Sequence, residues 1–319
     1  MSNWSIDDVP RLEDETIVVT GANSGLGFEA TREFAQRGAT VVMACRSIER
    51  GEDARREIEA TDPDGKLDVR ECDLADLESV ERFAEGVREA YDSIDALCNN
   101  AGVMAVPRSE TADGFETQFG VNHLGHFALT ARLLEPLRAG GETRVVTQSS
   151  GMHERGEIDF EDLHGERDYD KWDAYGQSKL ANVLFAYELQ RRLDAAGIDD
   201  ITSVAVHPGY ADTNLQARTG RESGSKLVYA GMKLANTIFA QSARQGALPM
   251  VYATVAEAVD GGSYVGPGGF LNMRGAPEEQ RSSDRSYDRE TAKRLWAVSE
   301  DATGVAYDLP TSGDGPSSA

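Results

Sequence analysis

The stretch TIVVTGANSGLG, residues 16–27, constrains this chain more than any other. Its first five residues are all β-branched, which stiffens the backbone toward an extended strand. The glycines end that strand. Gly21 permits a sharp turn, Gly25 lets a ligand approach the backbone, and Gly27 allows the following helix to pack closely on a sheet. A helix opening here presents unpaired N–H groups and the positive end of its dipole, an arrangement suited to a pyrophosphate.

The same alternation continues along the chain. A helical pattern to about Arg37 is followed by the strand TVVMAC (40–45), a charged helix over about 48–60, the strand LDVREC (67–72), a helix over 77–91 and the strand DALCNN. One long helix over about 112–139 then precedes TRVVTQSS, and another over about 173–196 precedes ITSVAVHPG. This order predicts an α/β fold: a doubly wound parallel sheet with helices on both faces. No repeat or linker divides residues 1–306, so one domain is expected. Residues 209–240 are long for a connection and become amphipathic. They are expected to form a substrate lid, because such sheets bind ligands beyond the carboxyl ends of their strands. Residues 307–319 read as a disordered tail.

Charge excludes several partners. The 319 residues include 55 acidic and 32 basic side chains, a net charge of −23, and only six of the basic residues are lysine. Such a surface repels nucleic acid and anionic membranes. Dense carboxylates with few lysines form the composition expected of a halophilic, haloarchaeal-type protein. The first twenty residues show no signal-peptide pattern, and no run approaches the roughly 20 apolar residues that span a bilayer. A cytoplasmic protein without a membrane anchor is expected. Cys45, Cys72 and Cys98 lack metal-ligand spacing and read as small core residues. His123 and His126 share a helical stretch without a carboxylate partner, so no metal site is expected.

A second constellation lies in DAYGQSKLAN, residues 173–182. Tyr175 and Lys179 stand four residues apart, on one helix face, which brings an ammonium near a phenol.

Taken in order, the motifs resemble the short-chain dehydrogenase/reductase family in its ordinary, non-extended form. TGANSGLG resembles that family's T-G-x-x-x-G-x-G turn, and CDLAD supplies its acidic residue beside the adenine, Asp73. NNAG (99–102) resembles the motif closing the fourth strand, VNHLGHF supplies Asn122, VVTQSS supplies Ser150, YGQSK supplies Tyr175 and Lys179, and HPG (207–209) the segment beside the nicotinamide. Over residues 14–306 the chain looks most like the retinol dehydrogenase and WW-domain oxidoreductase branch, through ACRS, IDFEDL, AYGQSKLANVLFAYEL and RLWAVSEDATGV.

The resemblance implies a Rossmann-type fold and a catalytic set of Asn122, Ser150, Tyr175 and Lys179. Tyr175 would exchange a proton with a carbonyl or alcohol while Ser150 holds the same oxygen, and Lys179 would also bind the nicotinamide ribose. Asn122 would hold a water in the proton relay. Ser149 competes with Ser150; the interval to Tyr175 favours Ser150. An unperturbed phenol titrates near 10, and two positive charges, Lys179 and an oxidised nicotinamide, are expected to lower it. The implied cofactor-binding set is Gly21, Asn23, Ser24, Gly25, Leu26, Gly27, Arg46, Asp73, Leu74, Asn99, Asn100, Ala101, Gly102, Tyr175, Lys179, Pro208, Gly209 and Thr213. At the end of the second strand the sequence has Arg46 and no carboxylate. A guanidinium there suits a 2′-phosphate, with Asn23 and Ser24 as neutral donors, so NADP(H) is expected over NAD(H). The loop containing MHERGEIDFEDL is expected to cover the substrate, a small carbonyl or alcohol of apolar character. Two other readings are a protochlorophyllide-reductase-like enzyme and a non-catalytic dinucleotide sensor, which usually lacks the Tyr/Lys pair. An extended-type epimerase or dehydratase is disfavoured by the glycine spacing. Family members are commonly homo-oligomers.

The acidic composition carries its own test. At low ionic strength the carboxylates repel one another, whereas at about 1 M salt the screening length falls to roughly 3 Å. Tm should therefore rise from dilute buffer into molar KCl; a flat or falling thermal-melt series would exclude salt adaptation.

Overall fold

The computed structural model describes residues 4–209, 243–269 and 272–309. Eight strands, β1 (Thr16–Thr20), β2 (Thr40–Cys45), β3 (Lys66–Glu71), β4 (Ala96–Asn99), β5 (Thr143–Gln148), β6 (Ile201–Val206), β7 (Tyr264–Pro267) and β8 (Pro277–Gln280), form one sheet. Their order is β3-β2-β1-β4-β5-β6-β7-β8. All neighbours through β7 pair in parallel, and β8 runs antiparallel against β7. The chain winds outward from β1 to β3, then returns to lay β4 on the other side of β1. That reversal opens a crevice at the carboxyl ends of β1 and β4.

Helices α1 (Gly25–Gln36), α2 (Ile48–Glu59), α3 (Leu77–Ala90), α4 (Thr117–Phe119), α5 (Gly125–Arg132), α6 (Leu134–Ala139), α7 (Lys171–Ala196), α8 (Ala243–Val255) and α9 (Arg289–Thr303) flank the sheet. Strand alternation sorts the side chains into two cores. Ile17, Val19, Val41, Met43 and Val204 pack with Phe34 of α1, Ile58 of α2 and Met250 of α8. Val18, Val42, Leu97, Val145 and Ile201 pack with Phe83 of α3, Leu129 of α5 and Phe185 of α7. Cys45, Cys72 and Cys98 are buried free thiols within these layers. No helix among the described residues is long and apolar enough to cross a membrane.

One expected helix is not continuous. Over 112–139 the chain first turns, with Gly114 at φ +84° and an isolated bridge between Glu110 and Glu116. It then forms α4, whose first turn is capped by the Glu116 carboxylate on Phe119 N. A π-helical turn at Gly120–Leu124 comes next, then α5, then a restart into α6. Pro136 sits in the first turn of α6, where its missing N–H costs nothing and its φ is suited to a helix start. The helix expected over 173–196 begins earlier, at Lys171, because Asp170 accepts from Trp172 N at 2.7 Å and Asp173 N at 3.1 Å. It stops at Gly197, whose φ of +67° is the left-handed cap that glycine adopts freely. The loop holding Ile158, Phe160 and Leu163 packs against Phe119, Leu180, Leu184 and Leu295, so its apolar side chains turn onto α7 and α9.

The sequence patterns marked neither β7 and β8 nor α8 and α9. Helix α9 carries Trp296, which is 2% exposed and packs edge-on against Phe127 at 5.0 Å between centroids. The Arg192 guanidinium covers the same indole at 4.3 Å. Tyr307 extends this packing past residue 306, its hydroxyl donating to Phe127 O at 2.8 Å. Trp296→Ala should cost about 3–5 kcal/mol, the range for removing a large buried aromatic. Denaturant unfolding at fixed KCl tests this, and a loss below about 1 kcal/mol would mean that α9 only decorates the surface.

Candidate active site

The crevice is built from strand ends that carry hydrogen-bonding groups instead of more apolar residues. Thr20 ends β1, and its hydroxyl oxygen accepts from Asn100 N and Ala101 N, both at 2.9 Å. The Asn100 amide donates back to Thr20 O at 2.7 Å. These bonds stitch the glycine turn to the segment after β4. Gly21 lies at φ +66° and Gly25 at φ +58°, conformations that a side chain resists. A Cβ on Gly27 would collide with the Gly21 carbonyl and the Asn100 amide, whereas one on Gly25 would point into open space. The turn is therefore tight beneath and open above.

Above it, the N-cap of α1 is Ser24, whose side chain caps no backbone N–H. Leu26 is half-buried in the first turn of α1. Asn23 and Ala22 direct backbone N–H groups at the Cys45 sulfur. Arg46 comes directly after β2, is exposed, and forms no ion pair or hydrogen bond among the described residues. Free helix N–H groups, a glycine cradle and an unpaired guanidinium fit the phosphates of a dinucleotide. On the β3 side, Asp73 accepts from Ala75 N at 3.0 Å, and Leu74 is buried against Gly125. Asn99 differs from its neighbours. It is fully buried, and its amide donates to Thr130 Oγ1 at 2.9 Å, so it braces β4 against α5 instead of facing the turn.

The second half of the site hangs on α7. Lys179 is 4% exposed, and its Nζ donates to Gln148 O at the end of β5, at 3.1 Å. Burial pushes this ammonium down to about 8. A Cβ on Gly102 would lie 2.9 Å from Asn122 Oδ1 and 3.4 Å from Lys179 Nζ, so the bare backbone of Gly102 admits both groups to one point. Tyr175 is 5% exposed, and the Lys179 ammonium stands 5.8 Å from its ring centroid.

Burial pushes the Tyr175 phenol up to about 12, and its hydrogen bond with Ser150 opposes that rise. The expected lowering rests on two positive charges together, Lys179 and an oxidised nicotinamide, whereas burial is the larger influence on the phenol here. Loss of hydration disfavours the charged phenolate, just as it disfavours the charged form of Lys179. Ser150 and Ser149 separate cleanly: Ser150 is the serine that acts on the Tyr175 phenol, while Ser149 Oγ donates to Lys179 O at 2.8 Å.

Asn122 lies in the π-helical turn. Its amide nitrogen donates to Val103 O and to Ser178 Oγ, each at 2.9 Å, and its Oδ1 accepts from Val103 N at 2.8 Å. Both amide hydrogens are engaged, so any water that Asn122 holds must donate to one of its oxygens. His126 bridges the two halves of the site, with Nδ1 3.0 Å from Asn122 O and Nε2 2.9 Å from Thr20 Oγ1. Burial pushes His126 down to about 4 and His123 to about 3, so both are neutral core histidines. Sequence reasoning missed this bridge; the signal was His126 itself, four residues after Asn122. Pro208 and Gly209 lie just past β6, with Gly209 at φ +65°. Thr213 and the expected lid over 209–240 lie outside the described residues, apart from Gly209.

Comparison with known proteins agrees with this architecture. Residues 15–224 match the short chain dehydrogenase family. The chain belongs to that family of oxidoreductases, which use nicotinamide cofactors. It is 41% identical over 300 residues to retinol dehydrogenase 12 of Homo sapiens, covering 93% of this chain and 89% of the relative. A crystal structure of an uncharacterized protein from Mycobacterium paratuberculosis is 44% identical, with a TM-score of 0.80, and covers 97% of this chain and 100% of its own. The L-sorbose reductase of Gluconobacter frateurii, solved with NADPH and L-sorbose, shares the fold at 21% identity and a TM-score of 0.63, over 79% of this chain and 94% of the reductase.

Proposed function

We propose that this short chain dehydrogenase is an NADP(H)-dependent oxidoreductase acting on an apolar carbonyl or alcohol, with Tyr175 as general acid and base. The observation that carries this reading is the convergence of Ser150, Tyr175 and Lys179 beside a glycine turn open to a dinucleotide. A bound nicotinamide would supply or accept the hydride. The protein's part is to place the reacting oxygen and manage its proton. Ser150 orients the phenol and stabilises charge on the substrate oxygen. Tyr175 donates its proton to that oxygen in reduction and recovers it in oxidation. Lys179 Nζ has one acceptor among the described residues, Gln148 O, which leaves N–H donors for the nicotinamide ribose.

Support for an apolar substrate comes from the similarity to retinol dehydrogenase 12. Support for NADP(H) comes from Arg46, exposed and without an ion pair among the described residues, where an NAD-specific site places a carboxylate.

Two substitutions test the reading. Tyr175→Phe should leave Tm and dinucleotide binding near wild type while kcat falls by about 10² or more, as loss of a general acid requires. Turnover near the wild-type rate would remove Tyr175 from the chemistry. Arg46→Ala should weaken NADP(H) binding by roughly 30- to 100-fold, the scale of hydrogen bonds to a charged group, and leave NAD(H) almost unaffected. Titrations of both cofactors at one ionic strength decide this; equal weakening would overturn the assignment of Arg46.

A further inference from the structure

Four residues before Asn122 stands a second buried amide, Gln118, which the proposed reaction does not use. It lies in α4, is 0% exposed, and has its oxygen and both amide hydrogens engaged. Ala105 N donates to its Oε1 at 2.6 Å, and its Nε2 donates to Lys171 O and to Tyr169 Oη, each at 2.9 Å. The amide has one orientation, because the Ala105 N–H can only donate and the Lys171 carbonyl can only accept.

Asn122 makes a parallel set of contacts. Its Oδ1 accepts from Val103 N at 2.8 Å, and its amide donates to Ser178 Oγ at 2.9 Å. The two amides are thus rungs between the segment after β4 and helix α7. On the first side they grip Val103 and Ala105, and on the second they reach Lys171 and Ser178. Tyr175 lies between those two α7 residues, and Ser178 Oγ donates to Tyr175 O at 2.8 Å.

The segment needs holding. The non-glycine residues at positive φ among those described are Asp14, Asp62, Asn272 and Ala105, the last at +48°. The first three carry the short polar side chains that tolerate this conformation, and Ala105 does not. Such backbone persists only where its surroundings over-determine it, and it collects at ligand clamps. Ala105 is 1% exposed, and Gln118 supplies the partner of its N–H. The next residue is tied in by Tyr169, whose hydroxyl hydrogen is shared between Val106 O at 3.0 Å and Glu116 Oε1 at 2.9 Å. Residues nearer β4 are fixed separately, since Thr20 accepts from Asn100 N and Ala101 N. The half of the loop beside the glycine turn therefore hangs on Thr20 and Asn122, and the far half on Gln118 and Tyr169.

We infer that Gln118 is a positioning residue, which holds residues 103–106 against the first turns of α7 and so shapes the wall beside which a carbonyl substrate meets Tyr175. This rests on the proposed role of Tyr175.

The test compares wild type with Gln118→Leu, Tyr169→Phe and the Gln118→Leu/Ala105→Gly double variant. The readouts are the Kd of NADPH, and kcat and KM for whichever of benzaldehyde, cyclohexanone and retinaldehyde wild type reduces fastest. Gln118→Leu keeps an apolar side chain in place but loses all three bonds. It should lower kcat/KM by about 10-fold or more, chiefly through KM, with Kd for NADPH within about twofold because Thr20 and Asn122 still hold the near half of the loop. Tyr169→Phe removes one hydroxyl and should lower kcat/KM by about 3- to 10-fold, the worth of one ordinary hydrogen bond. Glycine adopts positive φ without strain, so adding Ala105→Gly should restore part of the kcat/KM lost in Gln118→Leu. Wild-type kcat/KM in Gln118→Leu would overturn the inference, as would a double variant that recovers nothing. So would a Kd for NADPH that rises as far as kcat/KM falls, which marks general loosening. Where Gln118→Leu does not fold, Tyr169→Phe decides, and an unchanged kcat/KM there overturns the inference. Tyr175→Phe in the same assay separates the two readings. If it retains full activity the proposed chemistry fails; if it collapses while Gln118→Leu and Tyr169→Phe match wild type, only the positioning role fails.

Discussion

Keeping one ammonium out of water governs the carboxyl edge of this sheet. A buried cation loses its hydration and must be given oxygen acceptors and close neighbours in return. Lys179 receives the Gln148 carbonyl at the end of β5, a carbonyl that also accepts from the Asn182 amide at 2.9 Å. This fixes α7 against β5 at the level of the site. A side chain on Gly102 would crowd Asn122 Oδ1 and touch the Lys179 ammonium. The long helix, the segment after β4 and the π-helical turn all meet beside that single charge.

The π-helical turn answers the same demand. An unbroken α-helix through 117–132 holds its carbonyls and its side chains in one register. The wider turn at Gly120–Leu124 brings Asn122 round so that its amide clamps Val103 and reaches Ser178 on α7. Such insertions collect at functional sites because they redirect one side chain without ending the helix. His126 then ties the Asn122 carbonyl to Thr20, which also holds the two N–H groups after β4. A neutral imidazole is well suited here, since it donates on one side and accepts on the other. The glycine turn and the π-helical turn are therefore joined through one buried ring.

Much of this architecture is legible in the sequence, for a physical reason. Runs such as TIVVT and TVVMAC are buried on both faces of a parallel sheet, and a continuous apolar run needs no phase information to be recognised. Glycines forced into positive φ, such as Gly21 and Gly25, are visible because few other residues tolerate those positions. The break over 112–139 is not legible. Helical periodicity survives one extra residue in a turn, and the deciding contacts, Asn122 with Val103 and Ser178, are distant in sequence. The strands YVGP and PEEQ escape notice too, being four residues long and, in β8, polar. Asn99 belongs to one sequence motif with its neighbours, but adjacent residues on a strand face opposite ways. Only the residues beyond the end of β4 turn toward the crevice.

The phenol is the place where local reasoning and burial disagree most. Spacing puts Lys179 one turn from Tyr175, and that charge together with an oxidised nicotinamide argues for an easily ionised hydroxyl. The folded protein buries both groups, and burial disfavours each charged form, raising the phenol to about 12 and lowering the ammonium to about 8. Each of the two desolvated groups is therefore pushed toward its neutral form. In the proposed reaction this matters for direction. A neutral phenol beside Ser150 is already the form that gives a proton to a carbonyl, whereas taking one from an alcohol requires the phenolate that the protein alone holds back. The scaffold by itself favours the acid, and ionisation must be drawn out by positive charge brought to the site.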